Sequence, residues 1–136
     1  MGDCIFCKIV AGEIPSARVY EDESVVAFLD INPVNPGHTL VVPRVHVERL
    51  TEAEEGLLAA VAVAVGKCAR AVMAATGAEG FNVLQNNGPC SGQVVPHLHV
   101  HIIPRNAADG FRFGWRQGAY GEGDMDAMRR RIAERL

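Results

Sequence analysis

Three histidines, His97, His99 and His101, alternate with apolar residues between Pro96 and Pro104. This period of two predicts a β-strand with all three imidazoles on one face and apolar side chains on the other. Successive imidazoles would lie about 6.5–7 Å apart along such a strand. Histidine is not a preferred strand residue, and three on one face would contribute little as packing. The pattern therefore indicates a face that does chemistry.

Three imidazoles on one face support two kinds of chemistry. In one, the three histidines hold a catalytic zinc ion and leave a fourth position open for water. In the other, one imidazole is a nucleophile or base, and its neighbours position it or the substrate. An imidazole nitrogen that attacks phosphorus forms a covalent N–P intermediate, which water or another acceptor resolves. The spacing alone is compatible with both.

A second group of chemically capable residues begins with the C-x-x-C pair Cys4 and Cys7. Such a pair is compatible with redox activity, with half of a zinc site or with chance. Redox pairs of the thioredoxin type usually follow a strand in a β-α-β unit, which is absent here. His46 and His97 could supply the nitrogens that complete a tetrahedral Cys₂His₂ zinc site. The wide separation of these four residues leaves the interpretations open.

Short alternating segments predict the strands that must position these residues. Turn-forming clusters separate them, among them the acidic residues 21–23 and the Pro- and Gly-containing loop 32–37. The five strands are expected over residues 18–20, 24–30, 38–42, 81–85 and the histidine segment. Strands, one long helix, further strands and a short helix, in that order, predict an α+β protein with an antiparallel sheet.

Two helices are expected beyond a short helical turn at the N-terminus. Thr51 followed by Glu54 matches a capping box, so the long helix is expected to run from there to about Thr76. Gly77 is its expected C-cap. Asp124 is expected to cap a final helix whose apolar residues face inward: Met125, Met128, Ile132 and Leu136.

Composition limits the class of protein. The chain has 136 residues, 49% hydrophobic and 21% charged, which is typical of a soluble globular protein and predicts a single domain. A net charge of -3 provides no basic surface for extended nucleic acid. We find no apolar run of about 18–20 residues and no signal-peptide pattern, so no membrane partner is expected. Four scattered cysteines are too few for a disulfide framework, which predicts a reducing, cytoplasmic location.

Further segments accompany the histidine pattern. The runs 37–43, 85–88, 92–93 and 97–103 together resemble the histidine triad (HIT) family, whose signature is His-φ-His-φ-His-φ-φ with φ an apolar residue. The signature is specific when a Gly-His strand lies upstream of it, as Gly37-His38 does here.

The resemblance implies one HIT domain over residues 1–136, with a motif-bearing core over 3–105 and a C-terminal tail and helix over 106–136. It implies a HIT-like antiparallel five-stranded sheet with one long helix and a C-terminal helix. Two copies would dimerise into a continuous sheet, giving a homodimer. Trp115 and Tyr120 in the tail would either select the substrate or pack in the dimer.

The family's members are nucleotide-binding hydrolases and transferases that act at the α-phosphate. The resemblance implies that His99 is the nucleophile, that His101 contacts phosphate or leaving-group oxygens, and that His38 supports the site, with no catalytic metal required. The substrate would be a dinucleoside polyphosphate or a nucleoside phosphoramidate, as for a dinucleoside polyphosphate hydrolase or an adenosine 5'-monophosphoramidase. The alternative is a nucleotide-binding regulatory or scaffold protein with negligible turnover.

The resemblance also implies a nucleotide pocket, with a purine expected. Asp30 matches a carboxylate that accepts hydrogen bonds from ribose hydroxyls. Asn86 and Gln93 match phosphate ligands, and Gly92 and Val94 would contribute backbone N–H groups. Two branches of the family carry Ser or Thr at the position of Val94, which has no hydroxyl to donate. The apolar positions around the base would be Ile5, Phe6, Ile9, Phe28, Ile31 and Leu40.

Some relatives, including galactose-1-phosphate uridylyltransferases, place a zinc ion at positions matching Cys4, Cys7, His46 and His97. The resemblance therefore implies a structural zinc ion at these residues. It would bind the first histidine of the triad and hold the strand that carries His99, leaving catalysis to His99 itself.

Overall fold

A five-stranded antiparallel sheet runs through the computed structural model, which describes residues 2–136. The spatial order of the strands is β1-β2-β3-β5-β4. The strands are β1 Arg18–Glu21, β2 Val25–Leu29, β3 Thr39–Pro43, β4 Gly80–Leu84 and β5 Val100–Arg105. The helices are α1 Ile5–Val10, α2 Glu55–Thr76 and α3 Asp124–Ala133, with 3-10 turns at Leu50–Glu52 and Pro89–Ser91. The predicted α+β class, the antiparallel sheet, the long helix and the C-terminal helix are confirmed.

The two faces of the sheet bury different sets of apolar residues. The register pairs Phe28 with Leu40 and Leu40 with His101, so these three side chains share one face. Helix α1 covers that face with Phe6 and Ile9. Helix α2 covers the opposite face, where the buried residues include Val41, Val61, Ala64, Cys68, Ala69, Val72, Val100 and Ile102. The second and third histidines of the alternating segment therefore lie on the α1 side.

The histidine segment is only partly a strand. Ladder pairing in β5 begins at Val100, so the predicted start of the strand at His97 is wrong. The reason lies in the backbone, because the N–H of Leu98 donates to the carbonyl of Val47, 2.7 Å away, rather than to a neighbouring strand. His97 and His99 thus occupy the approach to the sheet, and only His101 belongs to it.

Helix α2 begins later than the capping box predicts. Its N-cap is Glu54, which makes no side-chain cap bond, and Thr51 lies in the preceding 3-10 turn. That turn closes on itself, because the N–H of Glu52 donates to the carbonyl of Arg49 at 3.1 Å. The predicted Thr51 cap is therefore wrong. The predicted C-cap is confirmed, since Gly77 has a φ of 65° and its N–H donates to the Met73 carbonyl.

By length and composition, α2 is apolar enough to cross a membrane, with a mean hydropathy of 1.8 over 18 residues. The expectation that no segment reaches this threshold was therefore too strict. Within the chain, its buried residues lie against the sheet, and 28% of that window is buried.

The C-terminal helix makes little use of its apolar residues within the chain. Its N-cap is Gly123, not Asp124, and no residue of α3 is buried. Met125 is 64% exposed and Leu136 is fully exposed, so the expectation that they face inward is wrong. Residues 112–136 are all exposed, and the physical reason is that the tail leaves the sheet after β5 and does not return to it.

The start of the tail is held by a charged pair at the end of β5. Arg105 donates from Nε and Nη2 to the two carboxylate oxygens of Asp109 at 2.7 and 3.0 Å, and also to the carbonyl of Phe111. Asp109 accepts from Asn35 at 2.9 Å as well. The pKa of the Asp109 carboxyl lies well below its usual range, mainly because of the hydrogen bonds from the Arg105 guanidinium.

We expect Asp109→Asn to lower the urea midpoint of unfolding at pH 7, because the variant loses the charge that Arg105 pairs with. A carboxyl with a lowered pKa stabilises the fold above its unfolded pKa of about 4 and loses that contribution as the pH falls further. The difference between the two proteins should therefore shrink below about pH 4. Asp126→Asn, which alters an exposed pair on α3, is the control and should change little. A constant difference from pH 7 to pH 3 would contradict this account.

Candidate active site

A cavity of about 420 Å³ lies beside α1, on the histidine face of the sheet. His99 and His101 line it together with Asp30, the single carboxylate among its lining residues. Most of the remaining surface is apolar, as expected for a site that binds a planar base. The predicted nucleotide-binding residues that line the cavity are Ile5, Phe6, Ile9, Phe28, Asp30, Ile31, Leu40, Gly92 and Val94.

The orientation of His99 is set by its own backbone neighbourhood. Its Nδ1 lies 2.6 Å from the carbonyl oxygen of His97. A carbonyl only accepts, so the proton is on Nδ1 and the lone pair is on Nε2. The ring of Phe6 packs edge-on against the imidazole with a centroid distance of 5.0 Å. His99 therefore has one tautomer and a restricted ring position.

Burial keeps His99 neutral. Removal of the imidazole from water lowers the pKa of His99, while the bond to the His97 carbonyl and the charge of Asp30 oppose the shift. A neutral imidazole with its lone pair on Nε2 is a nucleophile or a base.

His38 and His101 form a directed hydrogen-bond chain. The N–H of Val34 donates to Nδ1 of His38 at 3.0 Å, so neutral His38 carries its proton on Nε2. That nitrogen lies 2.9 Å from Nδ1 of His101, to which it donates. His101 must then carry its own proton on Nε2. The chain therefore leaves His101 with an N–H donor to offer to the cavity.

The charges around this chain favour neutral histidines. Burial lowers the pKa of His101 to about 4, and the neighbouring His99 and His38 add to the shift. Burial also lowers the pKa of His38, opposed by Asp30, whose carboxylate is 3.7 Å away. Both histidines are thus uncharged at neutral pH, and His101 acts as a donor without carrying a charge.

Gln93 and Asn86 lie outside the cavity lining, unlike the other predicted nucleotide-binding residues. Gln93 is buried, accepts from the N–H of Gly88 at 2.7 Å and donates to the carbonyl of Glu48 at 2.7 Å. Its amide therefore shapes the loop from within. Asn86 packs closely against the backbone of Gly92, because its amide nitrogen lies only 3.2 Å from where a Cβ at position 92 would be. Gly92 also has a φ of 100°, which favours glycine.

Cys4, Cys7, His46 and His97 come together beneath α1, and their ligand atoms all lie within 4.8 Å of one another. Nδ1 of His97 is 3.4 Å from Sγ of Cys4 and 3.6 Å from Sγ of Cys7. Nδ1 of His46 is 3.3 Å from Sγ of Cys7 and 3.3 Å from Nδ1 of His97. Tetrahedral zinc with Zn–S of about 2.3 Å and Zn–N of about 2.0 Å has ligand separations of about 3.3–3.8 Å. The four residues fit such an ion.

The surroundings of the cluster match what a zinc site requires. Nε2 of His97 lies 2.9 Å from the carbonyl of Pro43, to which it donates, so Nδ1 is the nitrogen available to a metal. The N–H of Cys7 donates to Sγ of Cys4 at 3.4 Å, which restricts the position of that sulfur. His97 is completely buried, and its carbonyl links the cluster to the imidazole of His99.

The three triad imidazoles do not converge on one metal position. His97 turns its Nδ1 to the cysteines, and Nδ1 of His99 is bound to a backbone carbonyl. A second group, Asp30, His38 and His101, also has closely spaced ligand atoms. There the proton on Nε2 of His38 occupies the nitrogen that would have to bind the ion. The geometry therefore does not support the catalytic zinc interpretation.

Several cavity residues escape sequence reasoning. These side chains follow no periodic pattern and come from the loop after α1, from the end of β2 and the turn beyond it, and from the segment before β5. They are brought to the mouth of the cavity by the way α1 packs on the sheet. These residues are Ile14, Pro15, Ser16, Leu29, Asn32 and Val95.

Comparison with known proteins agrees with the motif. The HIT domain model matches residues 11–108. The chain is 49% identical to Protein hit of Bacillus subtilis, over 98% of this chain and 94% of that protein. It is 38% identical to the adenosine 5'-monophosphoramidase hnt1 of Schizosaccharomyces pombe, over 98% of each.

Solved structures agree as well. A crystal structure of a HIT family member from Bacillus subtilis has a TM-score of 0.93 at 49% identity, covering 98% of this chain and 97% of that chain. A zinc-bound histidine triad family protein from Mycobacterium smegmatis has a TM-score of 0.76 at 35% identity, covering 98% and 95%. With the triad, the cavity and these matches in agreement, the chain belongs to the HIT domain family.

Proposed function

We propose that this protein is a nucleotide hydrolase or transferase that attacks the α-phosphate of a nucleoside 5'-phosphate derivative through a nucleotidyl-histidine intermediate on His99. The observation that carries the proposal is the 2.6 Å bond from Nδ1 of His99 to the His97 carbonyl. It holds the lone pair on Nε2, in a cavity where burial lowers the pKa of the imidazole. The similarity to an adenosine 5'-monophosphoramidase supports the same chemistry.

The reaction needs two displacements at phosphorus. Nε2 of His99 attacks the α-phosphorus and forms an N–P bond while the bond to the leaving group breaks. Nε2–H of His101 donates to a phosphate oxygen or to the leaving group, and His38 positions His101 through the 2.9 Å bond. Water or another acceptor then attacks phosphorus, breaks the N–P bond and restores His99.

We propose a purine nucleoside phosphoramidate as the substrate. Phe6, Phe28 and Leu40 provide an apolar slot for the base, and Asp30 lies where a carboxylate can accept from ribose hydroxyls. Val94 is 89% exposed at the cavity and offers no hydroxyl to the leaving group. We place a P–N bond ahead of a dinucleoside polyphosphate because the named relative acts on a phosphoramidate.

A structural zinc ion at Cys4, Cys7, His46 and His97 completes the proposal, supported by the ligand separations and by the zinc-bound relative. When bound, the ion would cross-link α1 to the segment that enters β5, and it would supply no reacting group. His97 then holds its carbonyl in place for His99.

We further infer a homodimer. β4 lies at an edge of the sheet, where an unpaired strand can add a second copy. Phe81 and Val83 on β4 are 45% and 51% exposed, and Val63 on α2 is 58% exposed. Sedimentation equilibrium at twice the mass of the chain would support this inference, and a monomer at micromolar concentration would contradict it.

Replacing His99 tests the proposed nucleophile. We expect His99→Ala to lower turnover of an adenosine phosphoramidate by at least about a thousandfold, because the variant lacks the imidazole whose Nε2 is the proposed nucleophile. Nucleotide affinity, measured by calorimetry, should remain within a fewfold of wild type. Intact-mass spectrometry should detect a nucleotidyl adduct on the wild type only.

The control for this experiment is Val45→Ala, an exposed position outside the cavity lining, which should retain turnover. Turnover in His99→Ala comparable to wild type would refute the covalent mechanism. Tight nucleotide binding by the wild type with no product over hours would favour the binding-protein alternative.

The lowered pKa of His101, about 4, predicts the pH dependence of kcat/KM. The active form is neutral, so activity is retained above the pKa and lost as the pH falls through it. We expect kcat/KM for the phosphoramidate to keep its neutral-pH value down to pH 6.5, the usual pKa of histidine. Decline should begin only below that pH. An acid limb centred at or above pH 6.5 would contradict the neutral-histidine mechanism.

Metal analysis tests the zinc site. Protein purified under reducing conditions should contain about one zinc ion per chain, and added zinc should raise the thermal midpoint of stripped protein. Cys7→Ser should lose both properties, because it removes one of two thiolate ligands. Cys90→Ser, which alters an exposed cysteine outside the cluster, is the matched control. Full zinc retention by Cys7→Ser would contradict the ligand assignment.

A further inference from the structure

Cys4 and Cys7 are placed so that they can bond to one another as well as to a metal. Their Sγ atoms lie within 4.8 Å of each other, and the N–H of Cys7 already donates to Sγ of Cys4. Residues three apart in a helical turn have Cα atoms about 5–6 Å apart, within the range that a disulfide spans. Side-chain rotation is the movement that would bring the two sulfurs together.

Small solutes can reach this pair. A second cavity, of about 430 Å³, lies outside the cluster and is lined by Asp3, Cys4, His46 and Glu48 among others. Cys7 is itself partly exposed. A small oxidant such as hydrogen peroxide can therefore approach Cys4 from this opening and Cys7 from its own exposed side.

The remaining cysteines have neither arrangement. Cys68 is buried in the core between α2 and the sheet. Cys90 is exposed in the turn Pro89–Ser91, and it does not belong to a cluster of ligand atoms among the described residues. Cys4 and Cys7 are therefore the two cysteines that combine proximity, access and thiolate character, the last because a bound zinc ion holds both sulfurs deprotonated.

We propose that Cys4 and Cys7 form a reversible oxidation site, at which hydrogen peroxide converts the zinc-binding dithiolate to a disulfide and releases the ion. Two thiolates, one hydrogen peroxide and two protons give one disulfide and two waters, so two electrons pass from sulfur to the peroxide oxygens. Disulfide sulfurs carry no negative charge and do not hold zinc as thiolates do. The inference rests on the zinc site of the proposed function.

Loss of the zinc ion would affect the orientation of His99, the candidate nucleophile, through two contacts. The His97 imidazole would lose its metal, and the carbonyl of the same residue is the partner of His99 Nδ1. Phe6, which lies between the two cysteines in the sequence, packs against the His99 ring at 5.0 Å and the His97 ring at 5.9 Å. Oxidation therefore loosens both restraints on the orientation of His99 and makes the zinc cluster a redox-sensitive support of the site.

The test treats the zinc-loaded full chain with increasing hydrogen peroxide and follows three readouts. Released zinc is measured with a chromogenic chelator, the intact mass by mass spectrometry, and turnover with an adenosine phosphoramidate. We expect about one zinc per chain to appear together with a mass loss of about 2 Da, which corresponds to two hydrogens. Turnover should fall in proportion, and dithiothreitol with added zinc should restore all three values.

Two variants make the result specific. Cys90→Ser should respond as the wild type does, because the exposed cysteine takes no part. Cys7→Ser cannot form the disulfide and should show no 2 Da loss. Peptide mapping should locate the disulfide between residues 4 and 7 in the wild type and in Cys90→Ser.

Three outcomes would overturn the inference. These are zinc retained at peroxide levels that already oxidise Cys90, a disulfide that joins other cysteines, and unchanged turnover in protein that has lost zinc and gained the disulfide. The mass and zinc readouts involve no nucleotide. If they behave as expected while no nucleotide is hydrolysed at any stage, the oxidation site stands and the proposed function fails.

Discussion

The hydrogen bond from Nδ1 of His99 to the carbonyl of His97 is the contact on which the candidate site depends. Because a carbonyl can only accept a hydrogen bond, this contact places the proton on Nδ1 of His99 and the lone pair on Nε2. That carbonyl is in turn held from two sides. The imidazole of His97 lies among Cys4, Cys7 and His46, and its Nε2 donates to the Pro43 carbonyl. The orientation of the candidate nucleophile, His99, thus depends on the position of the neighbouring His97.

The sheet separates stability from chemistry by face. Helix α2 buries small and branched side chains against one face, where the requirement is close packing. The other face carries the imidazoles and is covered by α1. Burial lowers the pKa of His38, His99 and His101 there. Removal from water keeps these imidazoles neutral, and a buried ring nitrogen then needs a hydrogen-bond partner. Backbone groups are the partners of His38, His99 and His97, namely the Val34 N–H, the His97 carbonyl and the Pro43 carbonyl. The site is therefore built from backbone as much as from side chains.

Patterns that depend on local geometry could be predicted well. The alternation from His97 to His101 predicted that these residues share a side distinct from that of Val100 and Ile102, and the structure places the latter two in the α2 core. The Gly77 cap was equally local, since a glycine in the left-handed region is a common way to end a helix. The prediction that Thr51 caps α2 failed because Thr51 lies in a separate 3-10 turn that precedes the helix. The prediction that the apolar residues of α3 face inward failed, because amphipathic spacing does not show whether the helix packs against another part of the chain.

The sequence by itself determined the alternating histidines, the C-x-x-C pair and the order of strands and helices, because each follows from spacing along a chain of known geometry. Spacing alone did not decide between a metal site and a nucleophile for the triad, and the motifs that resemble the HIT family favoured the nucleophile. Only the tertiary structure shows which partner each ring nitrogen meets, because those partners lie far apart in the chain, such as Cys4 and His97 or His38 and His101. Likewise, the buried amide of Gln93 is bonded to the backbone of Glu48, a contact over 45 residues that no local pattern encodes. Spacing specifies which groups are available, and the folded chain specifies how each proton is shared.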